Sequence, residues 1–335
     1  MIDLRSDTVT HPTPAMRRAM MDAELGDDVF GDDPTVHRLE ALAADILNKE
    51  AGLFLCSGTM SNLAAIMTHC ARGDEYIVGQ NAHTYRYEGG GAAVLGSVQP
   101  QPLENADDGT IPVDKITAAI KPDQIVFART RLICLENTIA GKALPSDYVQ
   151  QVARVANDHS LAMHLDGARL FNASVATGTT PAELAAPFDT VSICLSKGLG
   201  APVGSILAGP RDFIEEARRW RKVLGGGWRQ AGLLAACGIV ALTQGIDRLS
   251  TDHENASLLA SGLRDLGFLV DGPHTNQLFL QLSPLQAETI ASFMAARNIK
   301  LFARGTTLRL VTHHEVHTDH VATVLASFAE FARKA

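Results

Sequence analysis

The chain has 335 residues, of which 46% are hydrophobic, enough to bury a core spread over two domains. Lysine and arginine number 29 against 37 acidic residues, which gives a formal charge of −8. An acidic chain without a long basic run argues against nucleic acid or a membrane surface as a partner, and favours chemistry on a small molecule.

Two features bear on the compartment. Residues 1–7 lack the apolar segment of an export signal, and the longest uncharged apolar stretch, 231–242, is too short to cross a bilayer. The five cysteines are widely spaced and form no C-x-x-C pattern, which is typical of reduced thiols in a core. We therefore expect a soluble, cytoplasmic protein.

Short apolar runs alternate with helix-period segments through the first three quarters of the chain. The predicted strands are 52–55, 76–78, 132–135, 161–165, 191–195 and 205–208, and the predicted helices include 61–70, 146–159 and 212–224. This alternation indicates βα units, and hence a mainly parallel sheet covered by helices on both faces. We predict a three-layer α/β sandwich for residues 1–245, with an N-terminal arm.

The pattern changes after about residue 245. It predicts a helix at 253–266, a turn at 271–274, a strand at 277–282, a helix from 286, a strand at 308–311 and a closing helix. The closing helix has one apolar face, with Thr318 or Asp319 as its N-cap. That face consists of Val321, Val324, Leu325, Phe328 and Phe331. We predict a smaller α+β domain over residues 246–335.

Two charged residues follow predicted parallel strands. Lys197 comes after strand 191–195 and before a glycine-rich turn. A lysine there points into the crevice where such sheets bind ligands, and desolvation favours its use as a nucleophile, although a surface lysine fits equally well. Asp166 follows strand 161–165, where a carboxylate suits a protonated pyridine nitrogen. The alternative is that Asp166 has only a structural role, in a turn or as a helix cap.

Two segments are candidates for phosphate binding. Residues 57–62 (SGTMSN) join a strand to a helix, so that small residues and exposed amides surround a helix N-terminus. Many strand-to-helix turns have this composition without binding a ligand. Lys222 and Arg229 flank three consecutive glycines at 225–227, a flexible basic stretch that either reaches a phosphate or is simply a loop.

Histidines offer a base and, at first sight, a metal site. His83 follows strand 76–78 and suits a general base or a ring stacked on a cofactor, with a structural histidine as the alternative. His313, His314, His317 and His320 have spacings typical of ligands. Because they straddle a strand end and a helix start, we expect them at the surface and predict no metal site.

Seven segments together resemble the low-specificity L-threonine aldolases, which are pyridoxal 5'-phosphate (PLP) enzymes of the aspartate-aminotransferase-like fold type I. The segments are 3–10 (DLRSDTVT), 26–34 (GDDVFGDDP), 57–59 (SGT), 136–138 (ENT), 164–169 (HLDGAR), 196–200 (SKGLG) and 309–313 (RLVTH). The resemblance implies retro-aldol cleavage of L-threonine and L-allo-threonine to glycine and acetaldehyde. Other reactions on the same scaffold remain open: alanine racemisation, β-elimination and cleavage of phenylserine-like substrates.

The resemblance also implies roles in holding the cofactor. Lys197 would carry it as a Schiff base, Asp166 would contact its pyridine nitrogen, and Gly58 and Thr59 would bind its phosphate. Arg169 would donate to its phenolic oxygen.

Further implied roles concern the substrate. Arg169, Ser6 and Arg309 would hold its carboxylate, and Tyr87 is a further expected contact. His83 would stack on the cofactor ring and accept the proton of the substrate hydroxyl.

The resemblance implies a homotetramer, built as a dimer of dimers with shared active sites. Lys222 and Arg229 would reach the cofactor phosphate of a neighbouring subunit. Two positions depart from the family pattern: some members have histidines near position 126 and after the ENT motif, where this chain has Val126 and Ile139. The preference between threonine and allo-threonine is therefore left open.

Overall fold

The structure is a computed structural model that describes residues 1–334. The strands are β1 Ile2–Asp3, β2 Ala51–Leu55, β3 Glu75–Gly79, β4 Gln99–Leu103, β5 Thr130–Glu136, β6 Ala162–Gly167, β7 Thr190–Cys194, β8 Ser205–Gly209, β9 Leu269–His274, β10 Gln277–Gln281, β11 Ile299–Lys300, β12 Phe302–Arg304 and β13 Thr307–Val311. The helices are α1 Pro14–Met21, α2 Pro34–Ile46, α3 Gly58–His69, α4 His83–Arg86, α5 Gly91–Val94, α6 Val113–Ala119, α7 Ser146–Asp158, α8 Leu170–Thr177, α9 Pro181–Ala185, α10 Arg211–Val223, α11 Gly232–Gln244, α12 Leu249–Asp265, α13 Pro284–Ala295 and α14 Thr318–Lys334. One 3-10 turn spans Asp7–Val9.

A seven-stranded sheet in the order β2-β8-β7-β6-β5-β3-β4 is built from strands between residues 51 and 209, within the predicted large domain. All neighbouring strands in it are parallel except β8, which runs antiparallel to both β2 and β7. Every residue of β3, β7 and β8 is buried, as expected for strands covered on both faces. The prediction of an α/β fold with a mainly parallel sheet is confirmed.

Strand β2 shows how the two faces are covered. Leu53 and Leu55 pack in a cluster with α3 and α10, whereas Phe54 between them packs in another cluster with α2 and α11. Successive side chains of a strand point to opposite faces, so an all-apolar strand contributes to both clusters. The sheet is therefore the middle of three layers.

Strand β4 was not predicted from the sequence, because Pro100 and Pro102 interrupt it. It lies at the edge of the large sheet, where β3 is its one partner among residues 1–334. Proline has no N–H to donate and is tolerated in a sheet at such an edge.

The predicted turn at 271–274 is wrong. These residues belong to β9, which pairs antiparallel with β10 across an irregular register. Gly272, with φ +100°, and Pro273 gave the turn signal, but they bend the strand rather than reverse it. The chain reverses at Thr275 and Asn276, where Thr275 has φ +53°.

The C-terminal elements build a second hydrophobic cluster under a four-stranded antiparallel sheet in the order β12-β13-β10-β9. Strand β1 pairs in parallel with β11, and Ile2 and Leu4 are buried in this second cluster. These residues were predicted from the sequence to lie in the N-terminal arm of the large domain. We retain a division near residue 245 as a proposal, with residues 1–4 attached to the smaller unit.

The closing helix buries the predicted face: Val321, Val324, Phe328 and Phe331 are at most 3% exposed. Thr318 is already helical, so neither Thr318 nor Asp319 precedes the helix as the predicted N-cap. The hydroxyl of Thr318 donates instead to Asn255 Oδ1 at 3.3 Å.

Helix α11 contains the most apolar stretch of the chain. Ala235, Cys237 and Ala241 are fully buried, and a Cβ added at Gly238 would come within 2.9 Å of side chains of Leu39 and Leu195. The helix thus packs closely against its neighbours. In residues 1–334 no single helix is long and apolar enough to span a membrane. Helices α11 and α12 together have the length and apolar composition of a span, but the pair is bent by 70°.

Candidate active site

A cavity of about 660 Å³ lies between the large sheet and the smaller unit. Segments that follow β3, β4, β5, β6 and β7 line one side, and β10, β12 and β13 line the other. Ligands of open α/β sheets bind in this position, beyond the carboxyl ends of parallel strands. The cavity brings together six predicted site residues, namely Ser6, His83, Tyr87, Arg169, Lys197 and Arg309.

Lys197 stands on a tight turn after the buried strand β7. Its carbonyl accepts hydrogen bonds from the Thr10 hydroxyl at 3.2 Å and the Gly200 amide at 2.9 Å. Gly200 has φ +83°, and a Cβ there would approach His314 Cε1 to 2.9 Å, so the turn requires glycine. This turn fixes the backbone that presents the Lys197 side chain to the cavity.

Asp166 lies near the carboxyl end of β6 and is 3% exposed. Its carboxylate accepts from Asn62 Nδ2 at 2.9 Å and from the Ala168 amide at 3.1 Å. It does not line the cavity directly, but one of its oxygens lies within 4.8 Å of polar atoms of His83 and Glu88. A buried carboxylate below the cavity has the chemistry that a cationic ring nitrogen requires.

His83 begins helix α4 at the cavity wall. Its backbone N–H donates to Glu136 Oε2 at 2.7 Å, and its ring Nδ1 lies 2.8 Å from Glu88 Oε1. Its ring centroid is 5.8 Å from that of Tyr87. The hydrogen bond to Glu88 raises the pKa of His83 above its usual value.

The sequence did not lead us to Glu88 or Glu136. Burial raises the pKa of Glu88, and burial together with the negative charge of Asp166 raises the pKa of Glu136 to about 7. Glu136 ends β5 and faces Asp166 across the sheet register, so its strand-end position was a usable signal. Glu88 stands in a loop between two short helices, where no local pattern marks it.

Asp7 is a third missed residue. Arg169 donates to it through two parallel hydrogen bonds, Nε to Oδ2 at 2.8 Å and Nη2 to Oδ1 at 2.6 Å. Asp7 is fully buried, and the charge of Arg169 holds the pKa of its carboxyl well below the usual range despite that burial. Among residues 1–334, only Nη1 of this guanidinium has no hydrogen-bond partner, so it is the nitrogen that remains for a ligand.

We expect Asp7→Asn to destabilise the protein by about 3–5 kcal/mol, because it leaves the buried Arg169 charge unpaired. Since the folded pKa of Asp7 is depressed, its contribution is complete above pH about 4 and decreases as the pH falls through that lowered value. Urea unfolding at several pH values measures this. Asp3→Asn is the control: it breaks an exposed pair with Arg5, which contributes about 0–1 kcal/mol. Equal effects of the two variants at pH 7 would refute the prediction.

Three predicted substrate contacts come from distant parts of the chain. Ser6 caps the 3-10 turn by accepting from the Thr8 amide at 3.2 Å. Arg309 of β13 donates to the Arg5 carbonyl at 3.1 Å, and burial lowers its pKa. Tyr87 is 46% exposed at the same cavity. The small unit and the N-terminal segment thus complete the cavity opposite the large sheet.

Gly58 and Thr59 open helix α3, whose N-cap Ser57 accepts from the Met60 amide at 3.2 Å. Within the described chain the backbone N–H groups of Gly58 and Thr59 donate to no acceptor, so both are available to bind an anion at the helix N-terminus. Neither residue lines the 660 Å³ cavity. A Cβ at Gly58 would come 2.7 Å from Cys194 Sγ, which places this turn beside the end of β7.

Lys222 and Arg229 are not brought to the cavity of their own chain. Arg229 Nη1 pairs with Asp27 Oδ2 at 3.0 Å, and its guanidinium lies 5.8 Å from the centre of the Phe30 ring. Lys222 lies in the last turn of helix α10, beside the glycine loop. Their contact with a neighbouring subunit stays a prediction.

The four C-terminal histidines do not form a common cluster in the described residues. The ring centres of His317 and His320 are 5.2 Å apart, and those of His313 and His314 are 6.4 Å apart. The group with metal-like spacing is instead His83, Glu88 and Asp166. Its atoms already hydrogen bond to each other directly or through Asn62.

Comparison with known proteins places the chain in a family. It matches the model of the beta-eliminating lyase family over residues 3–284. It is 52% identical to the low specificity L-threonine aldolase of Escherichia coli K12, covering 99% of both chains. The chain belongs to the low-specificity L-threonine aldolase family. Aldolase 1 of this family from Arabidopsis thaliana is 45% identical over 98% of this chain and 96% of its own.

Solved structures agree with this aldolase family in fold. Threonine aldolase of Leishmania major superposes with a TM-score of 0.82 at 22% identity, covering 98% of this chain and 100% of that one. Serine palmitoyltransferase of Sphingomonas wittichii superposes with a TM-score of 0.80 at 19% identity, covering 99% of this chain and 87% of that one. The resemblance stated from the sequence is confirmed, as are the lyase class and PLP fold type I.

The donor set of the site fits the cofactor of this family, pyridoxal phosphate. Lys197 would offer an amine to its aldehyde, Asp166 a buried carboxylate to its ring nitrogen, and His83 an aromatic face. The amides that open α3 suit its phosphate. Each functional group of the cofactor therefore has a partner of matching chemistry.

Proposed function

We propose that the protein cleaves L-threonine and L-allo-threonine to glycine and acetaldehyde, and accepts other β-hydroxy-α-amino acids. One observation carries the proposal: a cavity of a threonine aldolase family member contains an amine, Lys197, and a histidine of raised pKa, His83, which lies within 4.8 Å of the buried carboxylate of Asp166. An amine for the cofactor and a base for a hydroxyl are the two groups that this cleavage requires.

When bound, pyridoxal phosphate supplies an aldehyde that reacts with amines and a protonated ring that withdraws electrons from Cα. We propose that Asp166 keeps the ring nitrogen protonated. Arg309, Ser6 and the remaining nitrogen of Arg169 orient the substrate carboxylate.

The second task of the site is to remove the proton of the substrate hydroxyl. We propose that His83 accepts it as the Cα–Cβ bond breaks, directly or through one water. Among the residues described at the cavity, His83 is the single histidine. Val126 is 75% exposed and Ile139 is aliphatic, so neither replaces the further histidines of some relatives.

Product analysis tests the reaction against its alternatives. The purified protein, given threonine, allo-threonine, phenylserine and alanine in turn, should release glycine and the matching aldehyde from the first three. Ammonia with 2-oxobutanoate from threonine would indicate β-elimination, and inverted alanine would indicate racemisation. Either result without glycine would overturn the proposal.

We further propose a cytoplasmic homotetramer, a dimer of dimers in which neighbouring subunits share active sites. The positions of Lys222 and Arg229 support sharing, since both cations lie away from the cavity of their own chain. The turn that opens α3, residues 57–62, contains no lysine or arginine, so cations from a neighbouring subunit would add positive charge to a phosphate bound by its amides.

Subunit mixing tests the shared site. Lys197→Ala and Arg229→Ala should each be defective, whereas a hybrid dimer has one intact site, so random exchange should restore up to about one quarter of the wild-type activity. Turnover of threonine before and after exchange measures it. Mixing Lys197→Ala with Lys197→Arg is the control, since both lack the same residue and no intact site forms. Absence of recovery, with exchange demonstrated by mass spectrometry, would contradict sharing.

A further inference from the structure

Below the cavity, one amide side chain joins two carboxylates. Asn62 Nδ2 lies 2.9 Å from Asp166 Oδ2 and 2.9 Å from Glu88 Oε1. Asn62 is 1% exposed, and the Glu88 side chain is 4% exposed. Two buried carboxylates this close repel each other unless donors lie between them, and the two N–H groups of one amide meet that need.

The direction of each hydrogen bond in this network follows from neighbouring groups. Burial lowers the pKa of His164 to about 3, so its ring is neutral and has one donor and one acceptor nitrogen. Nε2 lies 3.1 Å from Asn62 Oδ1, which can only accept. His164 Nε2 therefore donates to Asn62, and His164 Nδ1 accepts from the Thr190 hydroxyl at 2.8 Å.

The chain of donors continues one residue further. Burial also lowers the pKa of His69 to about 4, and its Nε2 lies 2.8 Å from Thr190 Oγ1. Because the Thr190 hydroxyl already donates to His164, it accepts from His69. The Glu88 and Asp166 carboxylates accept hydrogen bonds, so the Asn62 nitrogen faces them and its oxygen faces His164. All donors thus point from His69 toward the carboxylates.

The same reasoning fixes His83. Glu88 Oε1 accepts from Asn62 and lies 2.8 Å from His83 Nδ1, and an ionised carboxylate only accepts. The hydrogen of the neutral His83 ring is therefore on Nδ1. No hydrogen bond to Nε2 occurs within residues 1–334, so the acceptor nitrogen is the one left for a ligand in the cavity.

We propose that Glu88, anchored by Asn62, is a positioning residue that holds His83 in the tautomer with a basic Nε2 available to the substrate hydroxyl. This inference rests on the proposed role of His83 in threonine cleavage. A histidine base held in one tautomer by a buried carboxylate is a recurring arrangement in hydrolytic enzymes, reached here with different residues and another reaction.

The groups that face His83 determine what its titration reports. They are Glu88, Asp166, Glu136, Lys197 and Tyr87. Glu88 and Asp166 favour the protonated ring, whereas Lys197 disfavours it. Neutralising Glu88 should therefore lower the pH at which His83 gains its proton.

Glu88→Gln in the full-length protein, with and without cofactor, tests the inference. The rate at which diethylpyrocarbonate modifies His83, followed by peptide mass spectrometry, depends on the fraction of neutral ring. We expect the midpoint of that rate against pH to fall in the variant. We also expect kcat for threonine to fall about 10- to 100-fold, with KM little changed.

Two further variants keep the test decisive. Glu136→Gln is the matched control, since Glu136 binds only the backbone N–H of His83 and its replacement should shift the midpoint less. Asn62→Ala leaves Glu88 in place but removes its anchor, so it should also lower kcat. This variant supplies the test if Glu88→Gln does not fold.

The outcomes separate this inference from the proposed function. An unchanged His83 midpoint in Glu88→Gln overturns it, whatever the activity, and so does a wild-type kcat in Asn62→Ala. A lowered midpoint with wild-type kcat overturns it as well, since the position of His83 would then not affect turnover. Failure of the wild-type protein to form glycine from threonine would instead refute the proposed function.

Discussion

Lys197→Ala should remove the visible absorption band of the purified protein that borohydride bleaches, and should reduce threonine cleavage by at least about 10³-fold. The reason is positional. Lys197 stands on the turn after β7 and lines the cavity, and the buried Asp166 lies on the neighbouring strand β6. Absorption spectra before and after borohydride, with peptide mapping of the reduced protein, measure the link between lysine and cofactor.

Two variants make that experiment specific. Lys197→Arg keeps the positive charge but has no primary amine, and it should lose the band as completely as Lys197→Ala. Lys142→Ala removes another lysine of the same cavity and should keep the band. A bleachable band that persists in Lys197→Ala would show that a different lysine binds the cofactor.

Much of the large sheet could be predicted because each strand is a local apolar run. Predicted strand 191–195 corresponds to Thr190–Cys194, and predicted strand 205–208 to Ser205–Gly209. The direction of β8 could not be predicted in this way. A buried strand has the same composition whether its neighbours run parallel or antiparallel, and only the path of the connecting chain decides.

Some residues of the site could also be predicted from local sequence, and others could not. Lys197 and Asp166 were predicted because each follows an apolar run, a local signal that also fixes its place at the sheet edge. Asp7 and Asn62 were missed because their partners lie far away in sequence, whereas Glu88 was missed because it stands in a loop where no local pattern marks it. Asp7, for example, binds a guanidinium 162 positions later, and no pattern near it records that contact.

The electrostatics of the site explain why the missed residues matter. Arg169 is held by Asp7, and His83 by Glu88, so two of the predicted ligand-binding groups each contact a buried carboxylate. A buried charge without a partner is costly, and the pairing lets these groups stay ionised or polarised next to the cavity. Positioning carboxylates of this kind are a property of the folded chain rather than of a motif.

His83→Phe should lower the rate of threonine cleavage by roughly 100- to 10,000-fold, the usual contribution of a positioned general base. This corresponds to about 3–5 kcal/mol at 1.36 kcal/mol per decade. Loss of a ring-stacking contact alone would cost only about 0.5–1.5 kcal/mol, and phenylalanine retains that contact. The size of the loss therefore distinguishes a base from a packing residue, provided that cofactor content is measured in the same samples.

The pH dependence gives a second, independent criterion for His83. A base acts when unprotonated, so kcat/KM should decline as the pH falls through the pKa of His83, which Glu88 raises above its usual value. His83→Phe should lose this decline. The rival base is Glu136, which lines the same cavity with its pKa raised to about 7. If Glu136→Gln loses the larger factor while His83→Phe cleaves both threonine diastereomers at nearly the wild-type rate, the base is the carboxylate, and His83 only packs against the cofactor ring.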